Sequence, residues 1–111
     1  MAYDENLAER VRTALKGAHG WSEKKMFGGL CFLHRGHMAC GLVGEVLMVR
    51  VGPEDYAAAL KRPHARAMDF TGKPLKGMVY VDPPGIKTAA SLKAWIERSR
   101  AFTASLPPKK G

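Results

Sequence analysis

The chain has 111 residues, 46% of them hydrophobic and 25% charged, which is typical of one globular domain and disfavours a disordered chain. No apolar run approaches the ~20 residues of a membrane span, so we expect no membrane-spanning helix. Lysine and arginine total 18 against 10 acidic residues. The net charge of +8 has two interpretations. It attracts nucleic acid or acidic protein surfaces, or it only maintains solubility.

The two cysteines, Cys31 and Cys40, are too few for a secreted disulfide scaffold. Residues 1–9 are acidic and amphipathic, whereas a signal peptide is basic and then apolar. We therefore expect a soluble cytoplasmic protein that forms a single domain over 1–111, with a frayed tail at 107–111.

An amphipathic helix is the first predicted element, over residues 4–16. Asp4 can cap it and Gly17 can end it. Its buried stripe has the helical spacing i, i+4, i+7, i+8 and consists of Leu7, Val11, Ala14 and Leu15. Residues 18–25 are predicted to be a connector.

A β-hairpin is predicted next, over 26–43, with its turn at Arg35-Gly36. A third strand is predicted over 46–51, where β-branched residues are frequent. Pro53 then predicts a helix start, and Pro63 sets its end near Arg62 because the residue before proline avoids helical angles.

The last third of the chain predicts a strand over 67–70, a loop over 71–77, a strand over 78–82 and a turn at 83–85. Thr88 can cap a final helix over about 89–105. The predicted order is therefore α-β-β-β-α-β-β-α. Short links between consecutive strands favour a two-layer α+β domain with a mainly antiparallel sheet and its helices mainly on one face.

A zinc site is the most obvious chemistry to test, because Cys31, His34, His37 and Cys40 are spaced every three residues. With the turn at Arg35-Gly36, however, His34 pairs with His37 and Cys31 with Cys40. Side chains alternate between the faces of a strand, so the cysteines are predicted to share one face and the histidines the other. We therefore predict no metal, and the paired cysteines would be close enough to oxidise.

Charged residues in unusual surroundings are the candidate binding residues. Arg50 lies in an apolar strand, where it points to the solvent face, forms an ion pair with a carboxylate such as Asp69 or Glu45, or anchors a ligand. Lys73 and Lys76 lie in a loop that lacks the glycine spacing of a phosphate loop. This loop is either a basic surface presented to a partner or an ordinary solvated segment.

No serine or cysteine has the setting of a nucleophile, with a histidine and an acid arranged around it. We therefore predict that the protein is not an enzyme, with no catalytic residues and no cofactor.

Four blocks of sequence resemble the N-terminal domain of the TfoX/Sxy regulators of bacterial competence. They are Lys24-Lys25-Met26-Phe27-Gly28-Gly29-Leu30, Leu47-Met48-Val49-Arg50-Val51-Gly52-Pro53-Glu54, Met68-Asp69-Phe70-Thr71-Gly72-Lys73-Pro74-Leu75-Lys76-Gly77 and Ser105-Leu106-Pro107-Pro108-Lys109. The resemblance implies an α+β fold and a bacterial cytoplasmic protein in the transcriptional control of DNA uptake. Members of that family act with the cyclic-AMP receptor protein, and no catalytic residues are carried over.

The matching blocks contain the candidate binding residues, which are Arg50, Lys73, Lys76, Lys24 and Lys25. The chain ends at Gly111, whereas two-domain competence regulators have a second domain, so DNA contacts of that domain are not expected.

Three hypotheses follow: a protein-interaction domain with a partner in the transcription machinery, a direct nucleic-acid-binding module, and a ligand or enzymatic site near Arg50. A homodimer through an exposed hairpin edge with Met38 and Leu42 is a further expectation.

Overall fold

The computed structural model describes residues 3–26, 29–69 and 74–106, and for residues 26, 68, 69 and 74–76 only the backbone is described. Within these ranges the chain forms helices and strands in the following order: α1 Glu5–Ala14, β1 Trp21–Met26, β2 Gly29–His34, β3 His37–Val43, β4 Val46–Arg50, α2 Tyr56–Leu60, β5 Ala65–Asp69, β6 Pro74–Val81, a 3-10 helix Pro83–Ile86 and α3 Ala89–Ala104.

The six strands form one antiparallel sheet in the order β1-β2-β3-β4-β6-β5. The predicted α+β class is confirmed, with one strand more than expected. The connector predicted over 18–25 is wrong, because Trp21–Met26 pairs with β2 along its whole length. Ser22 to Lys25 are polar and exposed, so this edge strand lacks the apolar alternation that identifies a strand from sequence.

Local signals set the starts of α1 and α3 as predicted, whereas α1 ends at Ala14, two residues before the predicted end at 16. The carboxylate of Asp4 accepts hydrogen bonds from the backbone N–H groups of Asn6 and Leu7, at 2.8 and 3.3 Å. Thr88 and Ser91 form a reciprocal capping box at the start of α3. These caps satisfy backbone donors that have no partner within the helix.

The hairpin turn at Arg35-Gly36 is also confirmed. Both residues have positive φ angles, 55° and 85°, which is the geometry of a type I′ turn and matches the twist of the flanking strands.

Two predicted boundaries are wrong. Helix α2 is shorter than expected, because Pro53 to Asp55 form a turn and the helix begins only at Tyr56. Strand β6 begins at Pro74, inside the loop predicted over 71–77. Residues 71–73 of that loop and the tail 107–111 lie outside the described ranges.

One face of the sheet packs against the helices and forms the main core. The largest buried side chains of this inner face and its helices include Phe32, Leu42, Leu47, Val49, Ile86, Leu92 and Trp95. In the described part of the chain, no helix is long and apolar enough to cross a membrane.

Candidate functional site

The second face of the sheet carries its own apolar cluster, which we call the outer face. Cys31 and Met48 are fully buried there. Half-buried apolar side chains surround them: Leu33, Met38, Val43, Met78 and Tyr80. Since the described helices that join the core all pack on the inner face, no described helix covers the outer one.

A β-bulge determines which residues reach this face. Leu33 pairs with Met38, but Phe32 pairs with Cys40 and Cys31 with Gly41, so Ala39 is an extra residue on β3. The prediction that Cys31 and Cys40 share a face is therefore wrong. Cys31 belongs to the outer cluster, and Cys40 belongs to the inner core.

Burial controls the chemistry of both thiols. It raises the pKa of Cys31, and it raises the pKa of Cys40 to about 12, with a smaller contribution from Cys31. Both are free cysteines. Because the nucleophile is the thiolate, these buried thiols are unsuited to catalysis, and their separation by the sheet prevents a disulfide.

The predicted pairing of His34 with His37 is confirmed. The Nδ1 of His34 lies 2.9 Å from the Oγ1 of Thr103, and the Thr103 hydroxyl donates to the carbonyl of Ser99 at 3.1 Å. This contact holds the ring of His34, which also packs against the Trp21 ring with centroids 4.8 Å apart. These contacts give His34 a structural role.

Burial lowers the pKa of His34, and the nearby charges of Arg35, Arg100 and His37 lower it further. His34 is thus held neutral on the inner side, away from Cys31 on the outer face. Among the described side chains, no group of three or more His, Cys, Asp or Glu is placed to hold a metal ion.

Strand pairing aligns one row of residues across all six strands of the outer face. The row consists of Lys24, Cys31, Gly41, Met48, Tyr80 and Arg66, from β1 to β5. Its centre is apolar, and each edge carries a cation. This row has no signal in the sequence, because only the register of the strands brings its members together.

Gly41 gives the row its flat centre. A Cβ at this position would lie 2.8 Å from the Cε of Met48 and 3.2 Å from the Sγ of Cys31. Met48 thus lies across the backbone of β3 in space that only glycine leaves open.

Arg66 completes the row at the β5 edge. Its guanidinium lies 4.7 Å from the centroid of the Tyr80 ring, a distance suited to a cation–π contact. Its Nε lies 3.2 Å from both carboxylate oxygens of Asp82. The cation therefore lies over the Tyr80 ring while its side chain stays 52% exposed.

Arg50 is half-buried at the end of β4. Its Nη1 donates to the carbonyl of Met38 at 3.4 Å, and its Cζ lies 5.2 Å from the centroid of the Phe102 ring. The predicted ion pair with Glu45 is wrong, because Glu45 precedes β4 and Arg50 ends it. The Asp69 side chain lies outside the described residues.

A groove of about 710 Å³ runs beside Phe102. It includes Val51 and Pro53 on one wall and the ion pair between Arg98 and Asp55 on the other, with an N–O distance of 2.7 Å. This ion pair favours a structural role for Arg98 and Asp55 at this end of the sheet.

A family model described as the TfoX N-terminal domain matches residues 13–103. The chain belongs to the TfoX N-terminal domain family. The match spans all six strands, and it therefore includes the whole outer face. No curated protein matches the chain, and no solved structure matches it.

Within this TfoX N-terminal domain, the residues predicted to bind do not converge on one site. Lys24 and Lys25 are exposed on β1, where Lys24 pairs with Cys31 of the outer face and Lys25 with Leu30 of the inner face. Arg50 lies three strands away. Lys73 and the Lys76 side chain lie outside the described residues.

The hairpin of this TfoX N-terminal domain does not form an exposed edge of the sheet, contrary to expectation. The hairpin of β2 and β3 lies within the sheet, between β1 and β4. Leu42 is fully buried in the inner core and Met38 lies on the outer face. The edge proposed for a homodimer is therefore wrong.

Proposed function

We propose that this TfoX N-terminal domain is a non-enzymatic regulatory module that acts in the bacterial cytoplasm by binding a protein of the transcription machinery that controls competence. Membership of the family supports the link to competence regulation. The apolar outer face supports binding as the mode of action, and it is the observation on which the proposal rests.

An antiparallel sheet that packs helices on one face normally presents polar side chains on the other. Here the opposite side carries Leu33, Met38, Val43, Met78 and Tyr80, which remain partly accessible. Contiguous apolar surface of this kind typically marks a site where another macromolecule binds. Burying these side chains against a partner would remove them from water.

The state of the described thiols and of His34 supports binding over turnover. The two thiols have raised pKa values. The buried imidazole is engaged by Thr103 and has a lowered pKa. Burial of the thiols and the contact of the imidazole with Thr103 favour structural roles for these groups.

Direct nucleic-acid binding is a second candidate, supported by the net charge of +8. The described cations give it less support, because Lys24 and Arg66 lie at opposite edges of the sheet. Arg12, Arg98 and Arg100 form ion pairs with acidic side chains. Anisotropy titrations of labelled DNA and RNA over a range of salt test it, since phosphate contacts produce a steep salt dependence.

The test of the protein-binding proposal compares two double variants in affinity capture from native cells with quantitative mass spectrometry. Leu33→Gln with Met78→Gln makes the outer face polar. Ala90→Gln with Ala101→Gln adds the same side chains at exposed positions of α3 and serves as the control. Circular dichroism and a thermal melt verify that both fold.

We expect the outer-face variant to lose at least fivefold of a transcription-machinery protein that the parent and the control retain. Equal recovery by all three proteins, or recovery of no such protein by the parent, would overturn the proposal.

A further inference from the structure

We infer that the partner presents an acidic amphipathic helix, with its apolar stripe on the outer face and its carboxylates at Lys24 and Arg66. This inference rests on the proposed function and adds the chemistry of the partner. Three features of the outer face carry it: the positions of its charges, its width and its methionines.

Both ends of the aligned row carry a cation. Lys24 is exposed on β1, and Arg66 is exposed on β5. The carboxylate in contact with this row is Asp82, and its described bonds go to the Nε of Arg66. An exposed pair of this kind is weak in water, so a second carboxylate can approach the same guanidinium.

The separation of the two cations sets the length of the partner. Six strands are separated by five spacings of ~4.8 Å, so the row is about 24 Å wide. A helix rises about 1.5 Å per residue, and a helix of about 16 residues covers this width. An apolar stripe of about four turns with acids at its margins therefore matches the row.

Methionine makes the centre of the face adaptable. Met38, Met48 and Met78 all belong to the outer cluster. Unbranched thioether side chains repack around differently shaped apolar groups and are frequent on surfaces that bind amphipathic helices. The flat area that Met48 forms over Gly41 gives such a helix room to lie close to the sheet.

Addition of a strand from the partner is less consistent with the edges of this sheet. The open edge of β1 carries the adjacent exposed cations Lys24 and Lys25. Lysines on an edge strand are a common means of preventing strand addition. In addition, strand addition would leave the apolar outer face uncovered.

A second copy of the chain is also disfavoured as the occupant. A two-fold dimer through the outer face would use the same patch on both copies. Lys24 and Arg66 would then face a surface that carries the same cations, and like charges across an interface are costly. An acidic partner avoids this repulsion and is attracted by the net charge of +8.

The experiment selects peptides on the intact protein. A displayed library of 16-residue helices has a fixed apolar stripe and a random choice of Glu, Ser or Lys beside it. We expect selection to enrich Glu, and we expect the selected acidic peptide to shift the amide resonances of the outer-face strands.

Charge-reversal variants test the contacts directly. Lys24→Glu with Arg66→Glu should weaken the acidic peptide at least tenfold and should improve binding of a matched peptide with Lys margins. Lys24→Glu alone should weaken it at least threefold, and it remains informative if the double variant does not fold. The control, Lys16→Glu with Lys61→Glu, changes the same charge at exposed lysines outside the sheet and should alter affinity less than twofold.

Enrichment of neutral or basic peptides, an absence of binders, or resonance shifts on α1 and α3 would overturn the inference. Light scattering tests for a dimer through the outer face. A dimer of the parent that is lost in the variant Leu33→Gln with Met78→Gln would also overturn the inference. None of the peptide outcomes affects the proposed function, which fails if the parent captures no transcription-machinery protein or if that capture is independent of the outer face.

Discussion

The Nδ1 of His34 forms a hydrogen bond of 2.9 Å with the hydroxyl of Thr103, a residue 69 positions away in the chain. Thr103 is fully buried, and His34 is 8% exposed. The bond joins the end of β2, next to the hairpin turn, to the last turn of α3. Because both groups are shielded from water, loss of either partner leaves a buried polar atom unsatisfied.

Thr103→Val should therefore lower the free energy of unfolding by about 1–3 kcal/mol, since valine keeps the shape and removes the hydroxyl that bonds to His34. Thr13→Val is the matched control, because the Thr13 hydroxyl makes a similar bond to the carbonyl of Glu9 at an exposed site of α1. We expect the control to cost less than about 0.5 kcal/mol. Urea denaturation measures both, and equal losses would contradict a specific role for the buried bond.

The lowered pKa of His34 predicts a pH dependence of stability. The unfolded chain takes up a proton near the ordinary value of 6.5, while the folded protein keeps His34 neutral to lower pH. The unfolded state therefore binds more protons in this window, and stability falls as the pH drops below 6.5, by at most ~1.4 kcal/mol per pH unit.

His34→Gln should remove this contribution. The difference in unfolding free energy between the parent and the variant should be constant above pH 7 and should shrink as the pH falls below 6.5. Taking the difference cancels every contribution that the parent and the variant share. A pH-independent difference between pH 5 and 8 would show that His34 titrates alike in the folded and unfolded states.

Gly52 is expected to be sensitive to substitution. Its φ is +85°, and a Cβ there would overlap the ring of Phe102. Gly52→Ala should cost about 2–4 kcal/mol, from the left-handed backbone and from displacement of the ring. Gly44→Ala is the control, because Gly44 also has a positive φ but has open space around it, and it should cost about 1 kcal/mol. Chemical denaturation of the two variants should separate these effects.

Displacement of the ring has a second expected consequence. Phe102 supports the guanidinium of Arg50, so the Gly52→Ala variant should also shift the side-chain resonance of Arg50. The Gly44→Ala variant should leave that resonance unchanged.

The two thiols should be inert in the native protein. Both are buried with raised pKa values, and they lie on opposite faces of the sheet. A thiol-reactive chromophore should therefore label neither within the time that labels both in urea. An intramolecular disulfide detected by mass spectrometry after mild oxidation of the native protein would contradict the bulge at Ala39.

Short-range signals in the sequence predicted several elements correctly. The cap at Asp4, the turn at Arg35-Gly36 and the cap at Thr88 each depend on residues within three or four positions of one another. Such signals act through local hydrogen bonds and backbone angles, so they are readable before the fold is known.

Other features had no such signal. Strand β1 is polar along its exposed edge and is held by backbone pairing with β2. The bulge at Ala39 shifts the register by one residue, and a shift of one residue moves a side chain to the other face. The assignment of Cys31 and Cys40 to one face failed for this reason.

The sequence by itself determined an α+β domain with a net positive charge, because composition, helix periodicity and turn chemistry act locally. Only the tertiary structure decided which residues form the outer face. Lys24 and Arg66 are 42 positions apart in the chain and reach the same row through five successive strand pairings. Each pairing depends on the register of the one before it, so no local pattern specifies the row.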